Sequence, residues 1–432
     1  MTSVSEVWPV AGGTVAQPVE RQEAERPLRI LILNQAFHPD VASTAQHASD
    51  LAVALAQRGH QVQALSSKRC YDNPQLRFAE RETWKGVSIR RIPSFGFGKG
   101  AKWRRVADFG SYIANCFLHL MWMPRHDVVI ALTTPPLISF LGALMVRLKG
   151  GHLVFWVMDL NPDEAIAAGW LKGSSFAARY LQKLLQYSLE TSESVIALDR
   201  FMAERLLDKG IAAEKIAILP PWSHSEAVSY DAEGRADFRR THGLTDKFVV
   251  MYSGNHSPCH PLTTLMLAAR QLRDEPDVKF VFIGGGSEFK AVQRFSEEEG
   301  LKNTLLLPYQ PLDTLSSSLS AADLHTVVMG EPFVGMVHPC KIYNILTLGT
   351  PVLYIGPEES HVTDLASGVH SDSWFYASRH GETLRVVEHI RTARNRWLLE
   401  VAEEKKVAGK FSQEALLKPH IAMVEAAAGV RR

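Results

Sequence analysis

The sequence predicts an α/β protein with two Rossmann-like, doubly wound domains that face each other across a cleft. The chain has 432 residues, which exceeds one typical domain, and 46% of them are hydrophobic. Short apolar strands alternate with helical patterns over residues 28–219. The same alternation restarts at residue 248, after a linker that contains prolines.

The first half predicts seven strands. Its opening run, LRILILN at 28–34, is apolar throughout, as expected for a strand buried on both faces of a parallel sheet. The other strands are predicted at 61–66, 86–93, 127–132, 152–157, 194–198 and 215–219. Helices are predicted at 44–58, where Gly59 ends the helix, and at 103–123, 174–190 and 200–209. A further helix follows the strand at 127–132 and ends at 148.

The second half repeats this alternation. Strands are predicted at 248–253, 279–283, 304–307, 325–329 and 351–355, with a weak strand near 373–376. Helices are predicted at 261–272, 287–299, 312–322, 339–348, 381–407 and 412–427. Pro220 and Pro221 open a polar linker that runs to residue 235 and marks a hinge. We therefore expect a disordered leader at 1–26, domains at 27–220 and 221–410, and a final helix at 411–432 that packs back toward the N-terminal domain.

Composition and motifs exclude several classes of function. The net charge of +1 predicts no general affinity for nucleic acid, so any anion site must be local. The four cysteines form no CxxC pair, which argues against a zinc or disulfide framework. The absence of GxGxxG, GxxxxGK[ST], HExxH and GxSxG motifs argues against a NAD enzyme, a P-loop nucleotidase, a metalloprotease and a hydrolase. No export signal precedes the first strand, and a cytoplasmic protein is expected.

Two apolar segments bear on membrane contact. Residues 128–146 carry no charge, but TTPP at 133–136 divides them into a strand, a turn and a helix. Residues 109–123 are too short to span a bilayer and follow a basic flank at 99–105. Two interpretations of this helix remain open. It makes a peripheral contact with the inner face of the membrane, or it is an amphipathic helix whose apolar face packs on the core.

Three loops that follow predicted strands are candidate sites, since ligands of doubly wound sheets bind at the carboxyl ends of strands. Asp159 follows a buried strand in VMDLNPDEAIAAG. The loop SGNHSPCHPL carries Gly254, Asn255 and His256, with a second histidine four residues later. No third metal ligand is evident, so hydrogen bonding to phosphate or sugar is the better interpretation. The loop GGGSE at 284–288 lets a ligand approach the backbone closely, or is a tight turn between strand and helix.

The stretch at 329–356 predicts a loop, a short helix and a strand. Pro339 suits the first position of the helix, and Lys341 follows in its first turn. A lysine there is unfavourable for the helix dipole, but it suits a bound phosphate because the free amides at this end also attract anions. The alternative is a surface lysine on an ordinary βαβ unit.

Four segments together carry a family resemblance: FHPDVASTAQHASDLAVALAQRGHQV, VMDLNPDEAIAAGWL, YSGNHSPCHPL and HPCKIYNILTLGTPVLYIG. They resemble the GT-B glycosyltransferases of family 4, in particular the bacterial exopolysaccharide and O-antigen subgroup of the colanic-acid type. The resemblance extends over nearly the whole chain from residue 28.

The chain departs from the family pattern at several positions. Its loop after the strand at 248–253 lacks the arginine and lysine that hold the diphosphate in the family, whereas Lys341 is kept. Met336 and Asn344 occupy the positions of the two acids in the E-x7-E motif. Ala42 and Ser43 stand where many members of the family have two glycines, and Met158 stands where other members often have a histidine.

The resemblance implies a retaining, metal-independent hexosyltransferase without a cofactor. It would move a sugar from a nucleoside diphosphate sugar to a lipid-linked or glycan acceptor in cell-surface polysaccharide biosynthesis. It implies catalytic roles for Asp159, His256 and Lys341, and acceptor contacts by Phe37, His38 and Asp159 in the N-terminal domain. It also implies donor contacts in the C-terminal domain, at Gly254, Asn255, His256, Gly284, Gly285, Gly286, Pro311, Gly335, Lys341 and Asn344. The alternatives are a non-catalytic sugar-nucleotide-binding scaffold, which the missing acids favour, and a nucleotide-sugar 2-epimerase.

Overall fold

The computed structural model of the protein describes residues 26–71, 73, 75–97, 102–223, 228–367, 374–397 and 412–429. Two separate, mainly parallel sheets confirm the predicted α/β class with two doubly wound units. The predicted leader up to residue 25 and the predicted helical residues 398–407 lie outside the described part.

The first sheet is built from β1 (Arg29–Leu33), β2 (Gln61–Ser67), β3 (Arg81–Trp84), β4 (Val87–Ile92), β5 (Val128–Ala131), β6 (His152–Trp156), β7 (Ser194–Ala197) and β8 (Ile216–Ile218). Their order is β3-β4-β2-β1-β5-β6-β7-β8. The helices are α1 (Ser43–Gln57), α2 (Lys102–Trp122), α3 (Ile138–Lys149), α4 (Asp163–Ala167), α5 (Phe176–Thr191) and α6 (Arg200–Asp208). Buried side chains of α1 and α6 cover one face of the sheet and those of α2 and α3 the other.

The second sheet is built from β9 (Phe248–Asn255), β10 (Val278–Gly285), β11 (Thr304–Leu307), β12 (Leu324–Val328), β13 (Val352–Ile355) and β14 (Phe375–Ser378). Their order is β11-β10-β9-β12-β13-β14, so the chain reverses direction across the sheet between β9 and β12. The helices are α7 (Ala232–Thr241), α8 (Thr263–Gln271), α9 (Phe289–Glu298), α10 (Leu315–Ser320), α11 (Lys341–Leu348), α12 (His361–Ser367) and α13 (Thr383–Trp397).

Several elements differ from the predictions. The antiparallel edge strand β3 was not predicted, because its sequence RETW lacks an apolar run. Helix α7 begins inside the stretch predicted as a linker, where the side chain of Asp231 caps the helix by accepting from the amide of Gly234. The short helices α4 and α12 were also missed. Among the described residues, no helix combines the length and apolar character needed to cross a membrane.

The last helix, α14 (Gln413–Ala427), packs on the N-terminal domain. The guanidinium of Arg58, at the end of α1, donates two hydrogen bonds of 2.7 and 3.2 Å to the carboxylate of Glu425. The ring of His420 lies 4.9 Å from that of Trp156 and 5.2 Å from that of Trp222, measured between centroids. The chain therefore crosses between the two domains a second time near its end.

Candidate functional site

The candidate site lies at the switch point of the second sheet. Strands β9 and β12 pair at their amino-terminal ends, through Val250 with Leu324 and Met251 with His325. Strands β9 and β10, by contrast, stay paired to their carboxyl ends at residues 255 and 285. In sheets of this order, ligands bind in the crevice outside the carboxyl ends of the strands at the switch point. Here the loops after β9, β10 and β12 border that crevice, together with the first turn of α11.

Lys341, the first residue of α11, carries a buried cation beside this crevice. Its Nζ lies 3.5 Å from the centroid of the Tyr252 ring, and a Cβ atom added to Gly254 would be 3.2 Å from it. Within the described part of the chain, nothing accepts a hydrogen bond from this Nζ. Burial lowers the pKa of Lys341 to about 7. Because an unpaired charge is unfavourable inside a protein, this ammonium group is suited to bind an anion.

The two glycine-containing loops that border Lys341 pack backbone against backbone. A Cβ atom on Gly284 would lie 2.0 Å from the carbonyl oxygen of Gly254, and one on Gly286 would lie 2.2 Å from that of His256. Both Gly284 and Gly286 have a positive φ, of 134° and 129°. The turn therefore requires glycine. It brings together predicted donor residues from two loops, with Asn255 and Gly286 exposed at the rim.

Substitution of Gly284 by alanine is expected to destabilise the protein by about 1–3 kcal/mol, the usual range for overpacking. The reason is that the added methyl group would overlap the carbonyl of Gly254. Urea-induced unfolding measures the change. The matched control is Gly300→Ala, which also has a positive φ but no atom within 4 Å of the added Cβ. Equal losses of stability in the two variants would show that backbone conformation, and not close packing, requires glycine at position 284.

The two histidines of the loop after β9 are neutral at pH 7. Burial and the charge of Lys341 lower the pKa of His256 to about 4 and that of His260 to about 3. His256 is 0% exposed, and its ring lies 4.9 Å from both the Tyr252 ring and the Phe289 ring. In this conformation the His256 ring packs among these aromatic residues, its Nε2 is buried without a hydrogen-bond partner in the described part of the chain, and its catalytic and donor roles stay predictions. Its amide N–H donates to the carbonyl of residue 285 over 2.8 Å, so His256 holds the two loops together.

The N-terminus of α1 approaches the N-terminus of α11 from the other domain. The hydroxyl of Ser43, in the first turn of α1, is a hydrogen-bonding neighbour of the Cys340 thiol, which directly precedes α11. The residues before these two helices, Ala42 and Cys340, make no side-chain cap in the described structure, and neither first turn contains an acid. Two helix ends with free amides therefore converge, and both favour an anion between them.

Asp159, which follows β6, contributes a carboxyl group from the N-terminal domain. Burial and the neighbouring charge of Glu164 raise the pKa of Asp159 well above its ordinary value. Burial, with a smaller contribution from Asp159, raises the pKa of the Cys340 thiol to about 12, which places Asp159 near the start of α11. The Glu164 carboxylate accepts hydrogen bonds from the Cys259 thiol at 3.6 Å and from the Asn161 amide at 3.0 Å. The structure thus brings Asp159 to the same crevice as Lys341.

The other two predicted acceptor residues, Phe37 and His38, pack within the N-terminal domain. Phe37 belongs to the N-terminal core and is 3% exposed. The ring of His38 stacks on that of Trp84 in β3, with centroids 3.8 Å apart, and burial lowers the pKa of His38. One side chain completes the core and the other packs on the edge strand, and the acceptor contacts of both stay predictions. The stacking partner of His38 was missed because β3 was not predicted.

The remaining predicted donor residues lie on two sides of the crevice. Asn344 is half-buried, one turn after Lys341 on α11. Pro311 opens a short 3-10 turn, two residues after Tyr309. The Tyr309 ring is exposed, and its hydroxyl donates to the carbonyl of Gly285 over 3.4 Å. Sequence analysis did not identify Tyr309, although an aromatic residue after a strand end is a recognisable signal for stacking on a base.

Gly335 lies in a contact between the two domains. A Cβ atom added to it would be 2.5 Å from a carbonyl oxygen of α6. The residues on either side of Gly335 are also held. The guanidinium of Arg205 donates to the carbonyl of Val334 over 2.6 Å, and the amide of Leu160 donates to the carbonyl of Met336 over 2.8 Å. The segment that leads to α11 is therefore attached to the N-terminal domain at successive residues.

A buried network extends this contact, and sequence analysis missed it. Nδ1 of His338 donates to the carboxylate of Asp199 at 2.6 Å, and Nε2 lies 2.8 Å from the hydroxyl of Tyr343. The ring of His361 stacks on that of His338, with centroids 3.8 Å apart. Burial alone would raise the pKa of Asp199, but the hydrogen bond and charge of His338 and the charge of His361 lower it to about 2. Because both nitrogens of His338 are engaged, we interpret this network as one that positions α11 and not as a metal site.

Comparison with known proteins places both halves of the chain in described families. The family model described as "Glycosyl transferase 4-like domain" matches residues 44–222, and the family model described as "Glycosyl transferases group 1" matches residues 234–361. WcaI of Escherichia coli (strain K12), assigned as a glycosyl transferase of colanic acid biosynthesis, is 27% identical over 338 residues, which cover 74% of this chain and 82% of that protein. WbjE of Pseudomonas aeruginosa, assigned as a glycosyltransferase, is 24% identical over 56% of this chain and 60% of its own length.

Solved structures share the fold at low sequence identity. HepE of Anabaena in complex with UDP is 16% identical, with a TM-score of 0.60 over 93% of this chain and 96% of its own. Sucrose-phosphate synthase from Thermosynechococcus elongatus is 13% identical, with a TM-score of 0.67 over 93% of this chain and 100% of its own. WaaG, a glycosyltransferase involved in lipopolysaccharide biosynthesis, is 15% identical, with a TM-score of 0.62 over 91% of this chain and 99% of its own. These likenesses establish the two-domain GT-B fold.

Proposed function

Because the chain belongs to the GT-B glycosyltransferases of family 4, in the exopolysaccharide and O-antigen group, we propose that it transfers a hexose or amino-hexose from a nucleoside diphosphate sugar, with retention of configuration. The acceptor in this proposal is lipid-linked or a glycan. The HepE structures that share its fold contain UDP and UDP-glucose, which supports a nucleotide sugar as the donor.

One observation carries the proposal: the buried, unpaired ammonium group belongs to Lys341 at the N-terminus of α11, which lies near the uncapped N-terminus of α1. A diphosphate bound there would receive hydrogen bonds from the free amides of both helices and the charge of Lys341. Asn344 then contacts the ribose, and the nucleoside lies along residues 284–286, with Tyr309 and Pro311 beside its base.

The same groups supply the electrostatic part of the proposed reaction. Negative charge develops on the diphosphate as its bond to the anomeric carbon breaks, and preorganised donors stabilise that charge without a metal ion. The acceptor hydroxyl attacks the anomeric carbon from the face that the diphosphate leaves, so the configuration is retained. The proton of this hydroxyl passes to the departing phosphate oxygen. Burial and the charge of Glu164 raise the pKa of Asp159 and so favour its protonated form, which donates a hydrogen bond to a sugar hydroxyl.

Donor binding is expected to take up about one proton per molecule at a pH near 9 and much less near pH 6. The pKa of Lys341 is about 7 in the free protein, and a bound diphosphate raises it by stabilising the ammonium form. Affinity therefore falls as pH rises above 7. Calorimetry with UDP-glucose and GDP-mannose, in buffers of different ionisation enthalpy, counts the protons. Lys341→Arg stays charged and is expected to bind without proton uptake. A wild-type protein that binds at alkaline pH with no proton uptake would contradict the role of Lys341.

Nucleotide release tests the reaction itself. A panel of nucleotide sugars is incubated with a glycolipid fraction or with soluble glycans, in the presence of EDTA, and UDP or GDP is measured. Release that depends on an acceptor supports a metal-independent transferase. Binding without turnover on any acceptor would instead favour the scaffold, and conversion of the donor without an acceptor would favour the epimerase.

A further inference from the structure

Helix α2 has two apolar faces, and only one of them is explained by the fold. Tyr112, Cys116 and Leu120 point inward and are buried against the first sheet. The opposite face also carries large apolar side chains, each at least 38% exposed and reaching 91% at its C-terminal end. These side chains are Trp103, Val106, Phe117, Leu118, Met121 and Trp122. No described part of the chain covers them.

The outer residues form one continuous stripe. Exposed positions recur along α2 at helical spacing, with Gly110 and Ala114 filling the interval between Val106 and Phe117. Among the described side chains of α2, Arg104 is the charged residue on the exposed face, and no acid lies there. A soluble helix normally exposes charged residues on its outer face, so this stripe indicates a surface that contacts an apolar partner.

Basic residues border the stripe at both ends. Arg104 stacks on the ring of Trp103 at the first turn of α2. At the last turn, Lys149 of α3 donates to the carbonyl of Met121 at 2.7 Å, which joins the ends of the two helices. Exposed Arg125 and Arg147 lie at this junction. Of the basic flank predicted at 99–105, Lys99 and the side chains of Lys102 and Arg105 lie outside the described part.

The first turn of α2 is also close to the proposed acceptor side of the cleft. The connection from β4 to α2 starts at the carboxyl edge of the first sheet and exposes Phe95 and Phe97. The Phe97 ring lies 5.9 Å from that of Trp103, so these aromatic residues continue the stripe toward that edge. In doubly wound sheets this is the edge at which ligands bind.

We propose that the outer face of α2, with Phe95 and Phe97, lies in the interface of a bilayer that contains anionic lipids. Tryptophans at the two ends of the helix suit headgroup depth, aliphatic residues between them suit the acyl boundary, and the basic border suits anionic headgroups. A protein partner is less well matched, because the stripe lacks polar groups that would fix the orientation of one partner. In combination with the proposed function, on which this step rests, the surface selects a lipid-linked acceptor, reached at the plane of the membrane, over a soluble glycan.

Sedimentation of the full chain with vesicles tests the surface. The protein is expected to bind vesicles of phosphatidylcholine with phosphatidylglycerol, and to bind more weakly at high salt or without phosphatidylglycerol. Leu118→Ser combined with Trp122→Ser is expected to reduce the partition coefficient at least about tenfold, since two large apolar side chains no longer enter the interface. The matched control is Leu207→Ser combined with Leu384→Ser. These leucines are 46% and 69% exposed on α6 and α13, outside the stripe, and binding should stay within about twofold of wild type.

Three results would overturn the membrane surface. The wild-type protein stays in solution with anionic vesicles at every lipid concentration, or the control variant loses as much binding as the stripe variant. Alternatively, size-exclusion chromatography shows that the wild-type protein is a dimer and the stripe variant a monomer, which would mean that a second copy covers α2. Binding of UDP-glucose, measured for the wild-type protein and the stripe variant, separates this proposal from the proposed function. If the wild-type protein binds the donor but not the vesicles, the membrane surface alone is rejected. If it binds the vesicles but not the donor, the transferase alone is rejected.

Discussion

Replacing Lys341 by alanine is expected to reduce sugar transfer by about two to three orders of magnitude, the range found when one preorganised donor to a developing anion is removed. The variant should fold normally. The ammonium group has no hydrogen-bond acceptor among the described residues, so its removal breaks no ion pair there. Removal also relieves the desolvation that lowers the pKa of Lys341 to about 7. Catalysis and stability are therefore expected to respond in different ways to one substitution.

Nucleotide release at saturating donor and urea-induced unfolding measure the two responses. Lys341→Met is the matched comparison, because it keeps an unbranched apolar stem over the Tyr252 ring and removes the charge. Both variants should lose turnover, and Lys341→Met should unfold at a urea concentration equal to or above that of wild type. Turnover within about threefold of wild type in Lys341→Met would show that charge at this position does not stabilise the leaving group.

Asp323→Ala is expected to destabilise the protein by about 3–5 kcal/mol, as found when one partner of a buried ion pair is removed. The Asp323 carboxylate accepts two hydrogen bonds of 3.1 Å from Arg239, a further one from Arg235, and one of 2.7 Å from the amide of Val249. The side chains of Asp323 and Arg239 are 1% and 5% exposed. Alanine would leave the guanidinium of Arg239 buried without this carboxylate, and would remove the acceptor for the amide of Val249 in β9.

Urea-induced unfolding measures this loss, with Asp277→Ala as the control. The Asp277 carboxylate lies 3.4 Å from Arg394, but its side chain is 48% exposed, so the control should cost no more than about 1 kcal/mol. A similar small loss for Asp323→Ala would mean that water or a rearranged side chain satisfies Arg239 after the substitution. In that case the network between α7 and β9 would not be a major source of stability.

The order of strands and helices was predictable because apolar runs and helical spacing are local signals. Elements without such signals were missed. Strand β3 is polar and is held at the edge by its antiparallel pairing with β4. Helix α7 is recognisable only from the cap at Asp231 and from the burial of Arg239, which depends on Asp323 far along the chain. Tertiary pairing thus decided the structure at positions where local patterns gave no preference.

Part of the candidate site was equally local. The glycines at the end of β10 and the lysine at the start of α11 belong to short motifs whose residue types have a physical explanation. The structure brings both motifs to one crevice. The direction of the side chains was not predictable, since a single sequence does not specify it. Phe37 and His38 follow a strand end, yet one packs inward and the other packs on Trp84. The contact between Asp199 and His338 joins residues 139 positions apart and has no signature in a single sequence.

Helix α14 has a consequence for the order in which the protein matures during synthesis. Ile421, Val424 and Ala427 belong to the same buried cluster as strands β1 and β6 of the N-terminal domain. A ribosome makes these residues only after the whole C-terminal domain, so the buried cluster of the first domain stays incomplete until α14 has been synthesised. Until then its exposed apolar surface is a natural target for chaperones. A nascent chain that stops short of residue 413 releases a domain with an open core.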